Sequence, residues 1–269
     1  MSADRNNSSR NVQLRLGEKE EQLATNQELA TLLTESLKLE TPPVAVRFVT
    51  ERPAGVRVFQ GEVPSACTFW RRAEHETFYA DTPSHFNCLV GAHTMGLDIP
   101  PAKGQELMEL VGQMHANEYL DPAEVAHIPT VPGAKSGIVY GPVADTQEAP
   151  DVVLVWVAPY QAMLLQEATG GSVWSEHSGV PTFGRPSCAA IPAAIAQARA
   201  TQSLGCMGMR VFTEVGRDQL LGVLPKLLLE KLSPELERVA RANDKMTQHY
   251  RGQKAIHTRE QGATASAGA

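Results

Sequence analysis

The sequence predicts an α/β or α+β fold made of two similar halves, each a short sheet with flanking helices, sharing a cysteine-lined interface. Three observations carry this expectation. Short β-branched runs over residues 43–49 and 150–157 alternate with stretches of helical periodicity. The second run, PDVVLVWV, is continuously apolar, as in a strand buried on both faces. Finally, the succession of an apolar strand, Cys67, and Cys88 followed by Leu-Val-Gly is echoed by a strand, Cys188, and Cys206 followed by Met-Gly, with similar intervals between the paired cysteines.

The elements follow in order. Residues 1–22 are polar and charged and read as a flexible arm. A helix begins near Thr25, where Thr25 and Glu28 stand at capping-box spacing, and Leu29, Leu32, Leu33 and Leu37 share one of its faces. Pro42-Pro43 ends it, because proline disfavours helical backbone in the residue before it. A strand over 43–49 follows, then a helix over 66–73 and a short strand or turn at Phe78-Tyr79. Residues 84–97 read as a helix stopped by Gly96, and 104–116 and 122–127 as further helices. Strands are expected at 136–142 and 150–157, and a helix at 160–168. Gly170-Gly171 is a break, and 172–177 has strand character. An alanine-rich helix spans 189–200, strands are expected at 209–215 and 219–223, and a helix covers 225–231 and 234–245. Residues 246–269 read as a flexible tail. The globular domain is thus 23–245, with halves of about 23–140 and 141–245.

Charge and composition exclude several function classes. With 24 basic against 30 acidic residues, the chain is weakly acidic and has no global reason to seek nucleic acid or an anionic membrane. Its N-terminus lacks the apolar stretch of a secretory signal, and no apolar run approaches the ~20 residues of a membrane helix. The expected location is therefore the cytoplasm, where thiols stay reduced and the four cysteines are not structural disulfides. A Walker phosphate loop and a Gly-x-Gly-x-x-Gly after a strand are both absent. Ser175, Glu176 and His177 are adjacent, but catalytic triads assemble in space rather than in sequence.

The cysteines carry the chemistry. Four thiolates satisfy tetrahedral zinc or the corners of a cubane cluster. The chain has no Cys-x-x-Cys, so such a site would have to be assembled by the fold from Cys67, Cys88, Cys188 and Cys206. Gly91, Gly205 and Gly208 flank the cysteines and let backbone N–H groups approach sulfur. Arg71, Arg185 and Arg210 are placed to offset thiolate charge. His93 is a candidate ligand or proton donor, and Gln161, after the strongest strand, is a pocket candidate because α/β folds bind ligands at strand carboxyl ends. Trp70 and Tyr79 are candidates to pack over a cofactor, with core packing the simpler account.

The segments ACTFWRRA (66–73), FNCLVGAHTMGL (86–97), GRPSCAA (184–190) and GCMGMR (205–210) resemble the domain-of-unknown-function 169 family of bacteria and archaea. The similarity extends in order over about residues 28–232. It implies that the four cysteines belong to one site and leaves the reaction open. Met209 departs from the pattern of the last motif, in which a polar residue often precedes the arginine.

Three functional expectations follow. The first is a [4Fe–4S] protein, redox-active or catalytic on a small molecule, of oxidoreductase or lyase type. The second is a structural zinc protein with a closed Cys₄ site serving as a binding module. The third is a metal-free enzyme using one reactive cysteine, Cys206. The expected partners are a small-molecule substrate or a redox partner protein, with homo-oligomerisation left open.

Overall fold

The computed structural model describes residues 25–170 and 179–267. The expected arm over 1–22 and the strand over 172–177 lie outside these residues.

One seven-stranded mixed sheet organises the molecule, in the order β2-β3-β1-β4-β7-β6-β5. Its strands are β1 (Val44–Val49), β2 (Phe78–Asp81), β3 (Gly137–Pro142), β4 (Val152–Val157), β5 (Thr182–Phe183), β6 (Thr201–Ser203) and β7 (Leu220–Pro225). Every pairing is antiparallel except that of β5 with β6. The strands that precede residue 143 occupy one side of the sheet and those that follow it the other, joined where β1 pairs with β4.

Registers on the two sides correspond. Val44, first in β1, faces Pro142, last in β3, and Val152, first in β4, faces Pro225, last in β7. Tyr140 of β3 faces Phe78 of β2, and Val223 of β7 faces Thr201 of β6. At the join, Val44 faces Leu154, Ala45 faces Val153 and Val46 faces Val152, so Ala45 and Val153 sit at the middle of the paired stretch.

Period-two alternation sends neighbouring residues of each strand to opposite faces. Val46, Leu154, Trp156 and Val223 enter one core, and Ala45, Val153, Val155 and Leu224 the other. All six residues of β4 are therefore buried, as its unbroken apolar run predicts. The first core is covered by α2 (Ala66–Arg72), α3 (Leu89–Thr94), α7 (Ala190–Gln197) and α8 (Met207–Thr213). The second is covered by α1 (residues 25–37), α6 (Pro159–Ala168) and α9 (Lys226–Ala267), through Leu33, Leu37, Leu164, Leu165, Leu232 and Leu236. Two more helices, α4 (Pro101–Ala116) and α5 (Pro122–Val125), link α3 to β3. None of the described helices is long and apolar enough to cross a membrane.

Some local expectations change. Residues 209–215, read as a strand, lie in and just after helix α8: Cys206 caps it, and it buries Met209 while exposing Met207, Val211 and Phe212. The alanine-rich helix stops at Gln197, where Ala198 takes the left-handed conformation (φ 48°), freeing Thr201–Ser203 to form β6. The helix expected over 84–97 is a 3₁₀ turn, Pro83–His85, followed by α3, with Cys88 as the N-cap between them. Residues 246–267, read as tail, continue α9.

Candidate functional site

The four cysteines come from four separate segments, all on the first face of the sheet. Cys67 is the second residue of α2, Cys88 and Cys206 are the N-caps of α3 and α8, and Cys188 lies in a 3₁₀ turn (Ser187–Ala189) leading into α7. Cys67 and Cys188 are buried in the first core, Cys206 packs against it, and Cys88 and Cys206 are half-buried. No disulfide joins them.

Local ties explain the convergence. Asn87 donates its side-chain N–H to the Val63 carbonyl, holding the loop before α3 to the loop before α2. A Cβ on Gly91 would stand 2.9 Å from the Ala66 Cβ and 3.2 Å from the Cys88 sulfur, so only glycine lets α3 approach the start of α2 this closely. Gly205, at φ +91°, turns the chain into Cys206 in a conformation that L side chains rarely adopt. The Cys206 N–H donates to Ser187 Oγ at 2.6 Å, linking the Cys206 and Cys188 segments.

Polar groups reach the sulfurs as well. The backbone groups of Gly91 and Ala66 lie beside Cys88 and favour its thiolate form. Cys206 sulfur accepts the Met209 N–H at 3.4 Å. The Ser65 side chain lies near Cys67 and that of Thr94 near Cys188, and each favours the thiolate form.

The thiols lie within one another's electrostatic reach. Burial pushes the Cys67 thiol well up, and negative charge on Cys188, Cys88 or Cys206 would push it further. Burial raises Cys188 too, with Cys88 and Cys206 adding to it, and raises Cys88, with Cys206 adding. Such buried groups stay protonated unless a cation replaces their protons. Even so, no group of three or more His, Cys, Asp or Glu side chains among the described residues is arranged to hold a metal ion. The thiols share a neighbourhood without forming the closed ligand shell that a convergence within a few ångströms would give.

The surrounding core is aromatic. Phe69 stacks on Tyr140 at 5.5 Å, and the Tyr140 hydroxyl meets His85 Nε2 at 3.0 Å. Tyr140 is raised by burial and then by negative charge on Cys67 and Cys188, which places it beside those thiols. Trp70, one turn after Cys67 on α2, is buried with no partner for its indole N–H.

Residues 32–234 fit the sequence model of DUF169, described as uncharacterised ArCR. The chain belongs to the DUF169 family. No curated protein and no solved structure matches it. In this DUF169 chain the four motifs singled out from the sequence all fall inside the matched region, and each supplies one of the four cysteines.

The remaining site candidates divide. Arg71 pairs at 2.7 Å with the buried carboxylate of Glu74, which also accepts the Trp156 indole N–H at 2.8 Å. Arg210 spends its guanidinium on the carbonyls of Leu204, Gly216 and Gln219, so it clamps the loops around α8 rather than offsetting sulfur charge. Gln161 caps α6 by accepting the Ala158 N–H and donating to the Lys38 carbonyl at 3.1 Å, a structural tie to the end of α1. His93 is half-buried on the last turn of α3. Arg185 stacks over Tyr119 at 4.3 Å. Sequence reasoning missed Ser187, Thr94 and Tyr140, and set Glu74 aside because it forms no evident acid pair with Glu76. Ser187 was adjacent to a cysteine and thus visible, whereas Thr94, Tyr140 and the Glu74–Trp156 bond act across long sequence gaps.

Proposed function

We propose that the four cysteines are presented in pairs by two related halves of the chain and hold a [4Fe–4S] cluster. The protein would then be a cytoplasmic redox or cluster-dependent enzyme acting on a small molecule. The observation that carries this reading is the mutual charge effect among four thiols drawn from four segments on one face of the sheet.

Pairing into halves is supported by the registers. In the first half, Cys67 precedes and Cys88 follows β2; in the second, Cys188 precedes and Cys206 follows β6. β2 and β6 pair in equivalent register with β3 and β7. The antiparallel β1–β4 pair lies where an approximate two-fold relation would place its axis.

The donor set suits a cluster better than a single ion. With Zn–S near 2.3 Å, a tetrahedral zinc site draws its sulfurs to within roughly 3.8 Å of one another. A cubane spreads its four thiolates farther and so asks for a less close convergence of the four segments. Buried thiols that repel one another as anions favour a cationic centre. Cys67, Cys88, Cys188 and Cys206 would hold it, and it would supply electron transfer or, with one iron left open, a Lewis acid. N–H groups of Ala66, Gly91 and Met209 would donate to the thiolate sulfurs and stabilise their charge. The aromatic wall of Phe69, Tyr140 and Trp70 excludes water from that side.

Serine replacements at each cysteine test the ligand set. Cys67→Ser and Cys188→Ser are expected to abolish iron incorporation, and Cys88→Ser and Cys206→Ser to lower or abolish it. Full iron and sulfide in any two of the four variants would defeat the proposal.

A further inference from the structure

A cleft of about 630 Å³ opens beside two of the thiols. One wall is made of residues within two positions of Cys188 and Cys206, namely Pro186, Ala189, Gly205 and Met207. The facing wall is the segment from Tyr119 at the end of α4 through Pro129 beyond α5. A pocket bounded by ligand-bearing turns on one side and a connecting segment on the other has the form of a substrate site.

Its polar and apolar groups are unevenly placed. Arg185 is exposed, and its guanidinium lies 4.3 Å over the Tyr119 ring. The Tyr119 hydroxyl accepts the Met207 N–H at 3.2 Å, tying this stack to α8. No carboxylate among the described residues forms an ion pair with Arg185. Stacking fixes the guanidinium plane and leaves its N–H fork unspent, the arrangement suited to a planar carboxylate. The other titratable lining groups are exposed His127 and Glu124; the Glu124 carboxylate turns back to the Asp121 N–H at the cap of α5. Leu204 and Met207, on either side of Gly205-Cys206, are 53% and 58% exposed, an apolar surface that a ligand body would cover.

We propose that this cleft is the substrate pocket of the thiol centre. It takes a small organic monocarboxylate, with the anionic head on Arg185 and the apolar body against Leu204 and Met207. The inference rests on the cluster reading for its chemistry but not for binding. One cation matches one negative charge, and the apolar walls select against a small inorganic anion.

The test titrates benzoate and hexanoate into the anaerobically purified full-length protein by calorimetry. Benzamide, hexanol and inorganic phosphate serve as controls, and iron and sulfide are assayed in the same samples. Saturable binding of the carboxylates alone is expected. Arg185→Gln should weaken it about ten- to a hundredfold, the range for losing a charged hydrogen-bond partner. Arg185→Lys should fall between, and Met207→Ala should weaken hexanoate more than acetate titrated in parallel. Equal binding of benzamide and benzoate, phosphate binding as tight as hexanoate, or unchanged affinity in Arg185→Gln would overturn the assignment. No carboxylate binding in iron-loaded protein overturns the pocket alone. Carboxylate binding in protein that carries no iron supports the pocket and counts against the cluster.

Discussion

His85 carries the clearest pH dependence. It is fully buried, with Nδ1 2.7 Å from the Asp81 carbonyl and Nε2 3.0 Å from the Tyr140 hydroxyl. A carbonyl can only accept, so Nδ1 is protonated and Nε2 accepts from Tyr140. Burial lowers the His85 pKa to about 4, despite the Asp81 carbonyl and carboxylate pulling the other way. The unfolded histidine takes up a proton near pH 6.5 and the folded one only near 4, so its contribution is full above 6.5 and lost as pH falls toward 4. The expected loss is on the order of 3 kcal/mol, measured by denaturant unfolding across that window. His85→Gln should flatten the slope, and an unchanged slope would refute the assignment. The thiols supply a second prediction at this scale. In metal-free protein, Cys88 and Cys206 should be alkylated well before Cys67 and Cys188, both of which are 5% exposed. Mass mapping of the labelled peptides reads the order directly.

At the scale of elements, glycine contacts and helix length give opposite expectations. Gly91→Ala forces a Cβ into Ala66 and the Cys88 sulfur, and should cost about 1–3 kcal/mol, the range for overpacking. Its iron content should fall as well, because the displaced thiol is a proposed ligand. Helix α9 behaves differently along its length. Leu232 and Leu236 are buried in the second core, whereas Met246, Tyr250 and Ile256 are exposed. Leu236→Ala should cost about 2–5 kcal/mol. Removing residues 246–269 should shift the melting temperature little, and a large drop would show that this part of α9 has a partner. Legibility in the sequence followed the same physics. β4 could be read from its unbroken, β-branched apolar run and α6 from its ten-residue length after a proline start. β5 and β6, of two and three residues, carry no period, and α8 was masked by a Met-Arg-Val-Phe run that resembles a strand. The helix is marked instead by a local contact, the Cys206 sulfur accepting the Met209 N–H as its N-cap.

Across the whole molecule, the cysteines could be picked out from glycine-rich context and family resemblance, but their shared face could not. That face follows from a sheet in which β1 and β4 lie side by side at the centre and α2, α3, α7 and α8 cover the same side. Arg210 and Gln161 were plausible site residues until the fold engaged them with loop and cap carbonyls. Arg185 alone of the three arginines keeps its guanidinium free of acids and carbonyls among the described residues and faces a cleft. The turns that bear Cys188 and Cys206 would thus join the proposed thiol centre to the cleft. Metal analysis and an absorption spectrum of the full chain, purified without oxygen, test the proposed cluster. A brown protein with iron and acid-labile sulfide in equal amounts, bleaching in air, is the predicted result. A colourless preparation without iron, or one carrying a single zinc per chain, would contradict it.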